Sequence, residues 1–414
     1  MTVPESRPLL ILIHAGGRAY REQLLRSLAD EYRVHLISGT PPSWETPYLA
    51  DVSVLESLDA DSVRARARQI AAAEAVAAVL TWGEEHLLQA ALAAEDLGLP
   101  GSRPDAVLRC WDKFATRQAL AALGLPQPAF ALVRDVDAAL AAARRIGYPV
   151  VLKPRSAAAS EGVILVHDDV ELAREFDVTR GVRLDHRPSF DDVVLIEQYL
   201  AGPEISVDAA VHAGTVIPVF VARKEVGFPP LFEETGHRVD GADPLLTDPE
   251  LARMLTEIHA ALGYTDGWTH TELKVTEAGL RTIEVNGRLG GDLIPYLGFL
   301  ATGIDPALAA ATVARGEAPQ LVATRARVAA VRFFYPPQDG CVIESVGFDQ
   351  AALPPEVDLC APLVSAGDVV SLPRNGHMEA RVAYAVAVAD TADEVTAALD
   401  EAHAALRLRI GAVT

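Results

Sequence analysis

Residues 270–291 read HTELKVTEAGLRTIEVNGRLGG. Apolar Leu273, Val275, Ile283 and Val285 alternate with polar residues, the period of two half-buried β-strands. Glu277-Ala278-Gly279 predicts a three-residue turn between Thr276 and Leu280. That register sets Glu272 opposite Glu284 and Lys274 opposite Thr282. Side chains repeat every two residues on a strand, so Glu272, Lys274, Glu284 and Asn286 share one face, which His270 and Arg288 continue. Two carboxylates directly across a strand pair repel unless something cationic lies between them. Three oxygen-bearing side chains on one face suit Mg²⁺, which takes oxygen ligands and keeps water and phosphate oxygens. A solvated polar face, with Lys274 neutralising one carboxylate, accounts for the hairpin alone equally well.

The other lysines separate these two readings. Of 36 basic residues only four are Lys: Lys113, Lys153, Lys224 and Lys274. Where Arg is the default cation, a Lys points to a site that wants a compact charge on a flexible stem. Lys153 ends the apolar strand YPVVLKP (148–154), just before RSAAASEG (155–162), a small-residue segment that predicts a mobile loop. Lys113 lies in the helical stretch CWDKFATRQAL, and Glu197-Gln198-Tyr199-Leu200 closes another apolar strand.

The 414 residues suit two or three domains, and half of them are apolar. A net charge of −21 excludes the cationic footprint of a general nucleic-acid binder and disfavours an anionic membrane surface. No apolar run approaches a bilayer span, and Leu9–Ile13 lacks a secretory cleavage pattern. Cys110, Cys341 and Cys360 are far apart and odd in number, which fits buried thiols in a reducing cytoplasm. Strand–helix alternation from Leu9 to Leu80 predicts a parallel sheet, with Asp61 capping a helix to about Ala78. The turn-rich 98–104 closes this first α/β domain at 1–104. One helix is expected over 105–123, strands at 130–133, 193–199 and 204–211, and an irregular stretch over 223–247. After about residue 320 the pattern predicts a separate small α+β unit, 321–414, whose last helix opens on the Thr391/Glu394 capping box.

Five segments, taken in order, resemble the ATP-grasp superfamily: WDK (111–113), VVLKP (150–154), SEGV (160–163), EQYLAGPEISVD (197–208) and TELKV…IEVNGRLGG (271–291). Within it the chain is most similar to carboxylate–amine ligases of the L-amino acid ligase type, a placement supported by VAAVRFFYPPQDG in the tail. The resemblance implies an ATP-grasp domain over 105–320 with a lid subdomain at about 130–200, a mixed α/β and α+β fold. It implies that Lys113 and Lys153 contact ATP phosphates, with Ser160 and Gly162 in the loop that closes over them. Glu197, Gln198 and Leu200 would meet adenine, Glu204 the ribose, and Lys274 would complete the nucleotide site. Glu272, Glu284 and Asn286 would hold Mg²⁺, with Mn²⁺ as a substitute, and Arg288 would meet the transferred phosphoryl group and the acyl oxygen. The implied reaction joins a carboxylate to an amine, both small molecules and expected to be amino acids, through an acyl phosphate. A homodimer is a common arrangement in that family.

Competing nucleotide motifs are absent. No two glycines stand two apart, so there is no dinucleotide fingerprint, and no Gly-Lys pair exists for a Walker A loop. A carboxylase-type relative activating bicarbonate, or an ATP-binding module without turnover, are the alternative functions. For a second substrate the candidates are Lys224, His237 and Arg238 in RKEVGFPPLFEETGHR (223–238), together with His270, Arg288, Gly290 and Gly291. The paired glycines either bring backbone N–H groups to an anion or simply make a turn.

Overall fold

The computed structural model of the chain describes residues 6–156, 160–182 and 192–411. Its first sheet is all parallel, with Leu9–Ile13 between Arg33–Ser38 and Val76–Leu80, and Asp51–Val54 outermost. Every residue of Leu9–Ile13 is buried, as a strand covered on both faces requires. Helix Ala60–Ala73 is capped two residues earlier than Asp61: Asp59 has the extended backbone of a cap and accepts from Ser62 N at 2.9 Å.

The expected helix over 105–123 is two, Pro104–Trp111 and Lys113–Ala122. Asp112 breaks it, accepts from Phe114 and Ala115 N at 3.0 and 3.2 Å, and pairs with Arg155 at 2.6 Å. The break places Lys113 at the start of a new helix, buried against the central sheet. Phe130–Val133, Val194–Gln198, Val150–Pro154 and Ile164–Val166 form a four-stranded antiparallel sheet in that spatial order, backed by helices Val136–Ile146 and Asp169–Gly181. These elements lie within the stretch 130–200 and are called the lid. Part of the loop 155–162 (residues 157–159) lies outside the described residues.

The central sheet has eight strands, in the order Gly279–Asn286, Gly267–Thr276, Glu204–His212, Thr215–Gly227, Glu233–Asp240, Val328–Phe334, Ala383–Ala389 and Val357–Pro362. Two expectations change here. The stretch 223–247 is not irregular, because Thr215–Gly227 and Glu233–Asp240 pair antiparallel through it. Its charged residues hide the strand period because several are turned inward and ion-paired. Nor is the tail detached: Val328–Phe334 pairs with Glu233–Asp240 and carries the sheet into the C-terminal segment. A small sheet of Val369–Val370, Cys341–Phe348 and Leu406–Gly411 completes that segment. Its helix Ala392–Ala405 opens on the Thr391/Glu394 capping box.

Both faces of the central sheet are covered. Helix Pro249–Leu262 buries Leu251, Leu255, Ile258 and Leu262, at helical spacing, against Val207, Val211 and Val221. On the other face Ile294–Thr302 and Pro306–Ala314 join the sheet to the N-terminal domain in one core. Gly298 permits this approach, since a Cβ there would stand 2.6 Å from the Phe220 ring.

In the hairpin Glu272 faces Glu284, as the alternation predicts. Nearer the turn the register differs: Thr276 pairs with Gly279, Lys274 with Arg281 and Leu273 with Thr282. The turn is therefore the two residues Glu277-Ala278, followed by Gly279 at φ +92°. A bulge at Ile283 restores the alignment beyond it. The bulge also takes Ile283 out of the core, so it lines the cleft beside Glu284.

Candidate active site

Lid, central sheet and N-terminal domain enclose a cavity of about 420 Å³. Lys113, Lys153 and Lys274 line it, and Lys224 lies beneath, so all four lysines converge on one cleft. Each is held by carboxylate. Lys113 Nζ is 3.1 Å from Glu284, Lys153 Nζ is 2.8 Å from Glu197, and Lys274 Nζ is 3.1 Å from Glu204. Lys224 Nζ contacts Glu204, Glu234 and Glu272 at 3.2, 2.7 and 3.0 Å. Burial disfavours its ammonium, but the three carboxylates outweigh that and hold its pKa well above the ordinary lysine value.

On the lid side, Ser160, Gln198, Tyr199 and Leu200 face the cavity. Gly162 does not. It packs against Val182 and Pro154, where a Cβ would stand 2.5 and 3.0 Å away, and its carbonyl accepts from Thr179. Glu197 has a second role beyond the strand-end backbone. Its buried side chain accepts from Arg117 Nε at 2.5 Å as well as from Lys153. Arg117 is fully buried and also donates to the carbonyls of Thr282 and Ile283 at 3.2 and 2.7 Å. One guanidinium thus ties the lid strand to the hairpin that carries Glu284.

At the hairpin, Glu284 and Asn286 stand with Glu84, which sequence reasoning missed. Turned with its nitrogen toward the carboxylates, the Asn286 amide donates to Glu284 Oε1 at 3.2 Å and Glu84 Oε1 at 3.0 Å. Arg288 donates to Glu84 through Nε and Nη2 at 2.8 and 2.5 Å. Burial lowers its affinity for a proton, but Glu84 outweighs that and the guanidinium is held above its ordinary value. Glu84 follows the strand Val76–Leu80 of a parallel sheet, and the rule that such sheets bind ligands beyond their strands' carboxyl ends would have pointed to it. With the amide turned the other way, its oxygen joins the Glu84 and Glu284 carboxylates, and a cation between them would replace the two N–H contacts; that all-oxygen donor set fits Mg²⁺. Glu272 is placed differently: its Oε1 lies among Glu204 and Glu234, where Lys224 already supplies the charge.

The second-substrate candidates divide. His270 is wedged between Asp208 at 2.5 Å and Glu272 at 3.6 Å. Burial opposes its charge, but Asp208 prevails and raises its pKa to about 9. His237 is buried between Asp292 at 2.7 Å and Glu234 at 3.2 Å, with its pKa raised by those carboxylates against the cost of burial. Arg238 points away from the cavity, as its alternation with His237 requires. The Gly290 N–H is already used, donating to Asp208 at 3.0 Å, and a Cβ there would crowd Asp208, His270 and Ile294. Gly291 does line the cavity. Arg381 of the C-terminal segment reaches in as well, pairing with Asp292 at 2.6 Å and Glu233 at 3.3 Å and stacking 3.8 Å from the Phe333 ring centre.

Comparison with known proteins agrees with this geometry. Residues 146–296 match the ATP-grasp domain, and residues 332–411 match the L-amino acid ligase C-terminal domain 2. The chain is 31% identical over 395 residues to the uncharacterized protein y4rH of Sinorhizobium fredii, covering 92% of this chain and 79% of that one. It is 28% identical to D-alanine–D-alanine ligase of Pseudomonas entomophila, across 54% of this chain and 69% of that protein. Human carnosine synthase 1 is also 28% identical, over 58% of this chain and 31% of its own length. The L-amino acid ligase from Bacillus licheniformis shares the fold, with a TM-score of 0.79 and 21% identity over 99% of this chain and all (100%) of that one. The chain belongs to the ATP-grasp family of carboxylate–amine ligases, which are ATP-dependent and ADP-forming. Its C-terminal domain is that of the L-amino acid ligases.

The Arg117–Glu197 pair yields a pH-dependent prediction. Burial pushes the Glu197 carboxyl up, but Arg117 and Lys153 outweigh it and hold the pKa down to about 2, against an ordinary 4.5. A depressed carboxylate contributes its full stability above about 4.5 and loses it as pH falls toward 2. Arg117→Met should therefore destabilise the protein by about 3–5 kcal/mol near neutrality, because it strips a buried carboxylate of one partner. Urea unfolding from pH 7 down to 3.5 should show that deficit shrinking once pH drops below about 4.5. A deficit independent of pH would assign Arg117 to packing alone.

Proposed function

We propose that the protein condenses one amino acid with the amino group of another, or of a peptide, through an acyl phosphate, releasing ADP and phosphate. The supporting observation is the arrangement in one cavity of Lys153 on the lid strand, Lys113 against Glu284 of the hairpin, and Arg288 and Asn286 beside them.

A carboxylate is a poor electrophile, so its oxygen first attacks the γ-phosphorus of ATP. The bond to the β,γ-bridging oxygen breaks, and ADP leaves. The amine then attacks the acyl carbon, and the C–O bond to phosphate breaks. Lys113 and Lys153 are placed to offset phosphate charge from two sides, each exchanging a protein carboxylate for a phosphate oxygen. Glu284 and Asn286, with Glu84 or Glu272 beside them, would hold Mg²⁺ or Mn²⁺. That ion supplies Lewis-acid charge to the phosphate oxygens. Arg288, fixed by Glu84, presents its guanidinium to the negative oxygen that develops at the acyl carbon. Ile283, turned into the cleft by the bulge, and Leu200 give the nucleotide base an apolar seat. Ser160 and the rest of the loop face the phosphate side, where closure would keep water from the acyl phosphate.

The deciding experiment measures phosphate release from Mg-ATP against pooled L-amino acids, with mass spectrometry of the products. Amino-acid-dependent release with a product lighter than the sum of its parts by one water is the expected result. Release that depends on bicarbonate and needs no amine would instead make it a carboxylase-type enzyme. Glu284→Gln should lower kcat by about 100-fold or more while the thermal transition stays in place. Arg288→Ala should cost about 100- to 1,000-fold in turnover with ATP affinity nearly unchanged. Equal, modest losses in both quantities would reassign Arg288 to ground-state binding.

A further inference from the structure

Arg21 stands apart from the other cations of the cavity. Lys113, Lys153, Lys274, Arg288 and Arg381 each have a carboxylate oxygen within 3.1 Å. Among the described residues Arg21 forms no ion pair. Its guanidinium reaches only two backbone carbonyls, Gly290 O at 3.4 Å from both Nη1 and Nη2 and Asp292 O at 3.5 Å. These are long contacts to neutral acceptors. Burial and the nearby Arg288 together lower the Arg21 pKa to about 10.

The side chain is nonetheless held in place. Arg21 lies in the first turn of helix Arg18–Glu31, and its stem lies over Gly16, where a Cβ would stand 3.0 Å from Arg21 Cγ. Gly16, Gly17 and Tyr20 line the same wall of the cavity. An unpaired guanidinium turned into a partly dry pocket next to a second arginine is costly unless an anion joins them. Arg288 is taken up by Glu84 and by the carboxylate to be activated. Arg21 has its planar fork free of any side-chain acceptor among the described residues, the geometry that binds carboxylate through two parallel hydrogen bonds.

We propose that Arg21 anchors a second substrate carboxylate, one that is not activated. This rests on the ligase function proposed above and adds a substrate class to it. Two sources supply such a group. One is the α-carboxylate of the amino acid that provides the amine, and the other is a side-chain acid on the amino acid that is activated. The rest of this wall accords with recognition by charge: Tyr20 and Trp82 line it with Arg21, and the charged groups that act on Arg21 are Arg288, Asp292 and Asp208, none of them in an ion pair with it among the described residues.

The test compares acids with their neutral amides in wild type, Arg21→Gln and Arg21→Lys. In one arm L-alanine and L-alaninamide serve as the amine. In the other, L-glutamate and L-glutamine, or L-aspartate and L-asparagine, serve as the activated partner. Wild type should prefer the acid in one arm by about 10- to 100-fold in kcat/KM, the range of a charge-assisted pair. Arg21→Gln should erase that preference with the KM for ATP unchanged, and Arg21→Lys should keep part of it. The arm that responds identifies which carboxylate Arg21 holds. No acid preference in either arm, or one that survives in Arg21→Gln, overturns the assignment.

Calorimetry on the ADP-bound protein separates this from failure of the ligase function. Glutarate should bind wild type at least about 10-fold more tightly than glutaramide, and Arg21→Gln should abolish the difference. If no amino acid supports phosphate release but this difference is present, the ligase function falls and the carboxylate anchor stands. Equal binding by wild type and Arg21→Gln removes the anchor whether or not the protein turns over.

Discussion

Carboxylates crowd the floor of the cleft, and the surrounding elements are arranged to neutralise them. Glu197, Glu204, Glu234, Glu272 and Glu284 all line one cavity, with Glu84 and Asp292 at its far wall. Such a concentration of buried charge is untenable unless each group is paired and hydrogen-bonded. The protein meets that demand with all four of its lysines and with Arg117, Arg288 and Arg381. A polyphosphate and its metal ion add anionic and cationic charge to the same space. On the function proposed above, the lysines would exchange one set of oxygens for another, and Glu284, released from Lys113, would be free to meet the metal. Pairs already assembled around the cavity make that exchange local, with little movement of the backbone.

Covalent connectivity does little to hold this cleft together, because its walls come from distant parts of the chain. Buried ionic contacts do more. Arg117 joins the helix Lys113–Ala122, the lid strand Val194–Gln198 and the bulged strand Gly279–Asn286. Arg381 connects the C-terminal segment to Asp292 and Glu233. Arg288 reaches from the hairpin to Glu84 in the N-terminal domain. Domain arrangement and site electrostatics are therefore one problem in this protein. A change that unbalances charge in the cleft also loosens an interdomain contact.

The parts legible in the sequence are those where a local pattern carries the information. Alternation in the hairpin places Glu272 across from Glu284, and the Thr391/Glu394 spacing locates the last helix. The rarity of lysine marks the cleft as well, since all four lysines converge on it. The bulge at Ile283 was not legible, since a one-residue shift in the turn and a compensating residue beyond it leave the outer register unchanged. The strands Thr215–Gly227 and Glu233–Asp240 were hidden for another reason. Their inward residues include Lys224, Glu234 and His237, which read as a solvated loop until their buried partners are known. Asp208 and Gly290 show the same limit: an acid and a glycine seen singly become a hydrogen-bonded support for His270 only once the strands meet.

The cavity has two halves that differ in whether their residues lie in segments resembling a family motif. Lys113, Lys153, Leu200, Glu284 and Asn286 lie in segments that resemble the family's motifs, which would meet the phosphates, the base and a divalent ion. Gly16, Tyr20, Arg21, Phe232 and Arg381 belong to no motif, and they come from the N-terminal domain, one central strand edge and the C-terminal segment. On the function proposed above, this half would face whatever is joined rather than what drives the joining. Substrate choice is free to change here by single side chains on rigid strand ends and helix starts, with the phosphate-binding half undisturbed. A lone arginine beside Arg288 favours one charge class of substrate at little cost to the fold, because its stem already has a place over Gly16. On the function proposed above, specificity would reside in the residues outside the family motifs, and charge pairing around the cavity is the guide to them.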